Sequence, residues 1–326
     1  FKSVLGFAKK LNLSVELLTG STKPKERDIL LNNLLIGKTN ILIGTHALIE
    51  ERVRFKKLGL VVIDEQHKFG VAQRAKLWSK KEEYYPHVLV MTATPIPRTL
   101  ALTLYGDLDV SVIDELPKGR KEIITSHRND NSRLKVLNFI KQTIESGSQV
   151  YIVYPLIEES AKKDHKDLMD GYESLTRYFP DTQIGVLHGR MKAENKDYEM
   201  KRFVEAKTKI LVSTTVVEVG VDVPNASVII IESAERFGLS QLHQLRGRVG
   251  RGKKQSYCIL MTKYDISKES KERIKAMVET SDGFKIANTD LKLRGPGNMM
   301  GTKQSGLLEL RFTNLAEDYE LSLIHI

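Results

Sequence analysis

The sequence predicts an α/β protein built on parallel sheets, and three observations predict it. Short β-branched runs recur along the 326 residues. The runs are apolar almost throughout, as in strands buried on both faces, and amphipathic stretches of helical period separate them. The strand candidates are Val15–Leu18, Ile41–Ile43, Leu60–Ile63, Val88–Met91, Val150–Tyr154, Gln183–Leu187, Ile210–Ser213, Val228–Ile231 and Tyr257–Met261. Between them Val4, Leu5, Phe7, Ala8 and Leu11 fall at helical spacing, as do Leu134, Leu137, Phe139, Ile140 and Ile144. Pro117 and Gly119 punctuate a polar stretch at Asp114–Arg120, which sets a first domain at 1–117 and a second at 118–264. The polar segment Glu158–Tyr172 reads as an exposed loop or short helix. From 265 to 320 the strands stop. A charged helix over Ser267–Glu279, with Ile274, Met277 and Val278 as its apolar side, leads into the glycine-rich segment Leu293–Gly306.

Composition narrows the function classes. Hydrophobic residues make up 41% of the chain, ordinary for a globular protein. No apolar run reaches bilayer-spanning length, so the expected location is cytoplasmic, away from membranes. The single cysteine, Cys258, excludes an intrachain disulfide framework and a cysteine-rich zinc site, and its apolar surroundings predict a buried core thiol. Fifty-one Lys and Arg against 41 acidic residues give a net charge of +10, which favours a polyanionic partner such as nucleic acid.

The strand Leu60–Ile63 runs directly into Asp64-Glu65-Gln66-His67. Ligands of open parallel sheets sit beyond the carboxyl ends of strands, so two carboxylates stand where a nucleotide would bind. Asp64 suits Mg²⁺ held through water, and Glu65 suits orientation or deprotonation of an attacking water. Alone, such a tetrapeptide is equally a helix cap. Its weight comes from further strand ends in order: Met91-Thr92-Ala93-Thr94-Pro95, then Ser213-Thr214-Thr215 followed by Val216–Pro224, then Gln241–Gly252. In the last, Arg248 and Arg251 are spaced to share a face if helical, and arginines there could reach a γ-phosphate from an opposing domain.

These segments resemble motifs II, III, V and VI of the superfamily 2 helicases, and Val186–Met191 resembles the element preceding motif V. Closer similarity is to the RecG family, through Leu17–Ser21, Ile43–Ile49, Asp64–Arg74, Thr92–Leu104, Tyr154–Ser160 and Arg294–Gly306. The last of these resembles the translocation motif that this family shares with the transcription-repair coupling factors. Asp64–His67 and Pro155–Ser160 favour the RecG family over those. A helicase of the DEAD type is disfavoured by His67 and by the glycine-rich tail.

The resemblance implies two RecA-like domains clamping ATP and Mg²⁺, with DNA crossing their top and a helical translocation segment following. It places Gly220, Asp222, Gln244, Arg248 and Arg251 on the ATP side with Asp64 and Glu65. Thr19, Gly20, Thr45, His46, Thr92, Thr94, His188, Gly189, Arg190 and Thr214 fall in segments that contact the DNA backbone or couple to it, and Arg294, Lys303 and Gln304 in the translocation segment. His67 reads as a hydrogen-bonding relay to the Thr-Ala-Thr turn rather than a metal ligand. The implied activity is an ATP-dependent double-strand translocase remodelling stalled forks and recombination junctions. It would be monomeric and would recognise forked or branched DNA by shape rather than sequence. The alternatives are a transcription-repair translocase and a non-catalytic nucleic-acid-binding module.

Two features depart from the family. No Gly-x-x-x-x-Gly-Lys-Ser/Thr phosphate loop occurs in the sequence. The expectation is a first domain truncated at its amino end, and a chain that does not turn over ATP by itself. The apolar hexapeptide Leu321–Ile326 breaks from the helical pattern before it. Its residues are those a transposon mosaic end encodes, so 321–326 is expected to be an adapter-derived tail.

Overall fold

The structure, a computed structural model, describes residues 1–65, 86–93, 109–113, 115, 117, 119–155, 161–214 and 223–294. The chain forms two compact units, Phe1–Ala93 and Thr94–Ile326.

In the first unit, helix α1 (Lys2–Lys10) leads to strand β1 (Val15–Leu18), helix α2 (Pro24–Leu35) and strand β2 (Ile41–Gly44). Pro24 suits the first turn of α2, where a missing N–H costs nothing. Leu30 and Leu34 of α2 are buried with Leu18, Ala47 and Val53, and each such leucine contributes about 1.5–3 kcal/mol. β1 and β2 pair in parallel, Leu18 opposite Gly44. A Cβ on Gly44 would lie 2.2 Å from the Leu18 carbonyl oxygen, so only glycine permits this approach. Strands β3 (Leu60–Asp64) and β4 (His87–Met91) form a second parallel pair.

The second unit carries a six-stranded, wholly parallel sheet. Its strands are β5 (Ile124–Asn129), β6 (Gln149–Val153), β7 (Ile184–Leu187), β8 (Ile210–Ser213), β9 (Ala226–Ile231) and β10 (Tyr257–Thr262), in the order β5-β10-β9-β6-β8-β7. Every residue of β6, β8 and β9 is buried, which accounts for their being apolar at nearly every position. One face packs on helices α3 (Arg133–Glu145) and α4 (Ala161–Tyr178), through Val136, Ile140, Leu168 and Leu175. The other packs on α5 (Ala193–Val204), α6 (Leu239–Arg246), α7 (Lys268–Glu279) and α8 (Gly283–Arg294), through Phe203, Leu242, Ile274 and Ile286. This is the doubly wound arrangement expected of a RecA-like domain. Cys258 is fully buried, and burial pushes its thiol up to about 12, as expected of an inert core residue.

Two readings are corrected. Ile124–Asn129 is a strand that the apolar-run criterion passed over, because as an edge strand it pairs only with β10 and keeps polar, solvent-facing side chains. The expected loop or short helix at Glu158–Tyr172 is, from residue 161, part of the 18-residue helix α4. Its apolar stripe is narrow but includes the buried Leu168 and Leu175.

Candidate nucleotide and nucleic-acid site

The acidic pair stands at the carboxyl end of β3. Asp64 closes the strand opposite Met91, and the Glu65 N–H donates to the Met91 carbonyl at 2.9 Å. Glu65 has a left-handed backbone (φ 54), a conformation costing a non-glycine residue on the order of 1 kcal/mol or more. That turn brings its carboxylate to Thr92, whose hydroxyl donates to Oε2 at 3.4 Å. The structure therefore assembles Asp64, Glu65 and Thr92 at one pair of strand ends. The other strand pair of this unit ends in Thr19 and Gly20 after β1, and in Thr45 and His46 after β2. There the Thr19 N–H donates to Thr22 Oγ1 at 3.0 Å, and Thr45 leads a turn of 3-10 helix that includes His46. Gln66, His67 and Thr94 lie outside the described residues.

The only Gly-Lys-Thr of the chain, Gly37-Lys38-Thr39, follows the end of α2 and precedes β2. A phosphate loop has the reverse placement, ahead of a helix. Gly37 (φ 79) is instead a left-handed helix stop.

In the second unit the predicted residues divide between opposite edges of the sheet. His188, Gly189 and Arg190 follow β7, and Thr214 follows its neighbour β8, with the Thr214 N–H donating to the Leu187 carbonyl at 3.1 Å. Arg190 is exposed, whereas Thr214 is 2% exposed, so this hydroxyl lies beneath the surface. Gly220 and Asp222 lie outside the described residues.

Gln244 sits in the last turn of α6. The expected shared helical face for Arg248 and Arg251 does not form, because α6 ends at Arg246 and the chain turns away through Gly250 (φ 81). Arg251 reaches the amino-terminal edge of the sheet, where it lines a groove with Arg120, Pro224 and Asn225.

Arg246, between these motif residues, was not singled out by sequence. It is buried, and its guanidinium donates to the carbonyls of Met277 and Thr280 at 2.9 Å each and to that of Ser281 at 3.3 Å. It thereby closes the end of α7. Its sequence signal was hidden among the other arginines of the motif.

Arg246 also donates to His243 Nδ1 at 3.1 Å, and burial with this neighbouring charge holds the imidazole at about 4. The unfolded chain protonates this histidine near 6.5, so between pH 6.5 and 4 it takes up a proton that the native state excludes. Native stability therefore falls as the pH drops through that window, by about 2 kcal/mol at pH 5. His243→Gln should flatten this part of the profile in urea titrations at pH 7 and pH 5; an unchanged slope would assign the acid sensitivity elsewhere.

At the point where the sheet's connections reverse direction, between β6 and β9, a cleft of about 170 Å³ is lined by Arg133, Tyr154 and Glu232. Arg133 makes two bonds of 2.9 Å to the Glu232 carboxylate, which raises its affinity for the proton further. Here the crevice is bridged by an ion pair.

Residues 1–103 match the DEAD/DEAH box helicase family, and 131–253 match the helicase conserved C-terminal domain. Residues 280–324 match the ATP-dependent DNA helicase RecG, domain 3, C-terminal family. Described segments and matches together define a superfamily 2 helicase motor fold. The ATP-dependent DNA helicase RecG of Synechocystis is 54% identical over 99% of this chain and 39% of its own length. That of Aquifex aeolicus is 49% identical, over 100% and 41% respectively. A solved structure, RecG bound to a three-way DNA junction, aligns with TM-score 0.72 and 45% identity over 98% of the chain and 41% of that structure. The chain belongs to the RecG family, and spans about two fifths of the length of these relatives. A second neighbour, yeast Dbp5 bound to RNA and ADP BeF3, aligns with TM-score 0.60 at 14% identity, over 87% of this chain and 71% of its own, and shares the fold alone. Among the described residues no helix is long and apolar enough to cross a membrane.

Proposed function

We propose that this chain is the motor segment of an ATP-driven, double-strand DNA translocase that remodels forked and branched DNA. The observation carrying this reading is Glu65, held in a left-handed turn at a parallel strand end with its carboxylate against Thr92. The conformation costs a non-glycine residue on the order of 1 kcal/mol or more, and here it sets a carboxylate at the strand end beside Thr92.

In this reading Asp64 holds Mg²⁺ through water, and an oxygen-only, solvent-accessible carboxylate fits that ion. Mg²⁺ bound there would neutralise charge on the β- and γ-phosphates. Glu65 orients the attacking water. Gln244, Arg248 and Arg251 serve the phosphates of ATP, and Arg251 supplies positive charge where the transition state gathers negative charge. Thr92 links the Glu65 carboxylate to the strand end, where nucleotide state passes to DNA-facing residues. Arg190 at the opposite edge suits contact with DNA phosphate without reading bases. The enzyme acts as a monomer and recognises branch geometry rather than sequence.

The match over 280–324 favours this reading over a transcription-repair translocase. Arg294 ends α8, while Lys303 and Gln304 lie outside the described residues. In the complete protein, Arg294→Ala or Gln304→Ala should leave DNA-stimulated ATP hydrolysis within a few-fold of wild type and sharply reduce fork unwinding or triplex displacement. Equal loss of both activities would assign these residues to folding or to the nucleotide site instead.

A further inference from the structure

The groove at the amino-terminal edge of the second sheet has a volume of about 670 Å³, within the range of small-ligand sites. Arg120, Arg251, Lys253 and Lys254 line it, and among the described lining residues there is no carboxylate. Its walls are set by backbone. A Cβ on Gly252 would stand 2.4 Å from the Pro224 carbonyl oxygen, so glycine is what lets the stretch from Arg251 to Lys254 lie against Pro224 and Asn225. The opposite wall is anchored by the Asn225 amide, which donates to the Gly147 carbonyl at 3.0 Å and to Gln149 Oε1 at 3.1 Å.

The four cations are not equivalent. The Lys254 ammonium donates to the Ser146 carbonyl at 3.1 Å and to Ser148 Oγ at 3.0 Å, so it closes the end of α3. Arg120 and Lys253 are exposed at the groove, beside Arg251. Positive charge gathered in a concave site raises the local concentration of anions.

We propose that Arg120 and Lys253 join Arg251 in binding the phosphate chain of a nucleoside triphosphate, extending the nucleotide site beyond its motif arginines. The proposal rests on the reading of Arg251 as nucleotide-facing. A nucleic-acid backbone is the weaker occupant, because His188, Gly189, Arg190 and Thr214 stand at the carboxyl edge of the same sheet, opposite the groove.

Titration of the 326-residue chain with inorganic tripolyphosphate at low ionic strength tests it. Binding should be competed by ATP and should weaken about tenfold or more in Arg120→Gln/Lys253→Gln, the scale of losing charge-assisted contacts. Lys271→Gln/Lys275→Gln removes the same charge from the exposed side of α7 and should change the affinity less than twofold. The proposal is overturned if tripolyphosphate does not bind, or if both double variants weaken it equally. It is also overturned if duplex DNA displaces tripolyphosphate as readily as ATP does at matched phosphate concentration. A turnover assay of Arg251→Ala in the complete protein reads the underlying assignment separately, since normal turnover there would remove the arginine-finger role whatever the groove binds.

Discussion

Arg251→Ala in the complete protein is expected to lower DNA-stimulated ATP turnover by about 10³–10⁵-fold, the contribution of an arginine that stabilises charge on a transferring phosphoryl group. The expectation rests on how the residue is presented. Helix α6 stops at Arg246, and Gly250 (φ 81) redirects the chain. A Cβ on Gly250 would meet Ile123 Cγ1 at 2.9 Å, so the backbone just before Arg251 is both turned and tightly packed. Contacts on both sides thus fix the arginine's origin beside the groove that it lines. Arg251→Lys should recover little of the loss, because an ammonium keeps the charge but not the planar fork that meets two phosphate oxygens at once. The effect should fall on kcat, with ATP affinity reduced far less, since the charge it meets develops in the transition state. Turnover within tenfold of wild type would remove Arg251 from the chemistry.

Much of this arrangement was legible because burial and composition coincide. β6, β8 and β9 are apolar at nearly every position because the sheet is covered on both faces, and runs of that kind stand out without alternation. β5 was not legible. Its segment Ile-Thr-Ser-His-Arg-Asn pairs along one side only, so solvent selects for polar side chains and the apolar signal vanishes. Helix α4 was obscured for a related reason: a long charged surface hides a stripe that Leu168 and Leu175 reveal only once their burial is known.

At the candidate site, residue types singled out Asp64, Glu65 and Arg251 as candidates, whereas geometry was silent in the sequence. Nothing in Gln-Leu-Arg-Gly-Arg-Val-Gly-Arg separates the buried Arg246, which closes α7, from Arg251 in its open groove. That separation depends on where α6 ends, which is set by tertiary packing. The left-handed turn at Glu65 was equally hidden, since glutamate carries no preference for it.

Glu65→Gln in the complete protein is expected to reduce ATP turnover by about 10²–10⁴-fold, the usual contribution of a positioned acid–base group, while ATP binding stays within a few-fold of wild type. The substitution keeps the side chain's length and shape and leaves Asp64 for the metal. It also leaves an amide oxygen able to accept from the Thr92 hydroxyl, so the contact seen at 3.4 Å can persist. What is lost is the negative charge that orients and polarises water. The unusual backbone makes this a discriminating test. If Glu65 occupied its left-handed position only to terminate β3, glutamine would serve as well, and Glu65→Gly would raise stability by relieving strain without harming turnover. If the carboxylate is what the strained turn exists to present, Glu65→Gln binds nucleotide and fails to hydrolyse it. Glu65→Gly then folds at least as stably and is equally inactive. Nucleotide affinity and single-turnover hydrolysis measured side by side on the two variants separate the cases, and hydrolysis within tenfold of wild type in Glu65→Gln would sink the assignment of Glu65 to the attacking water.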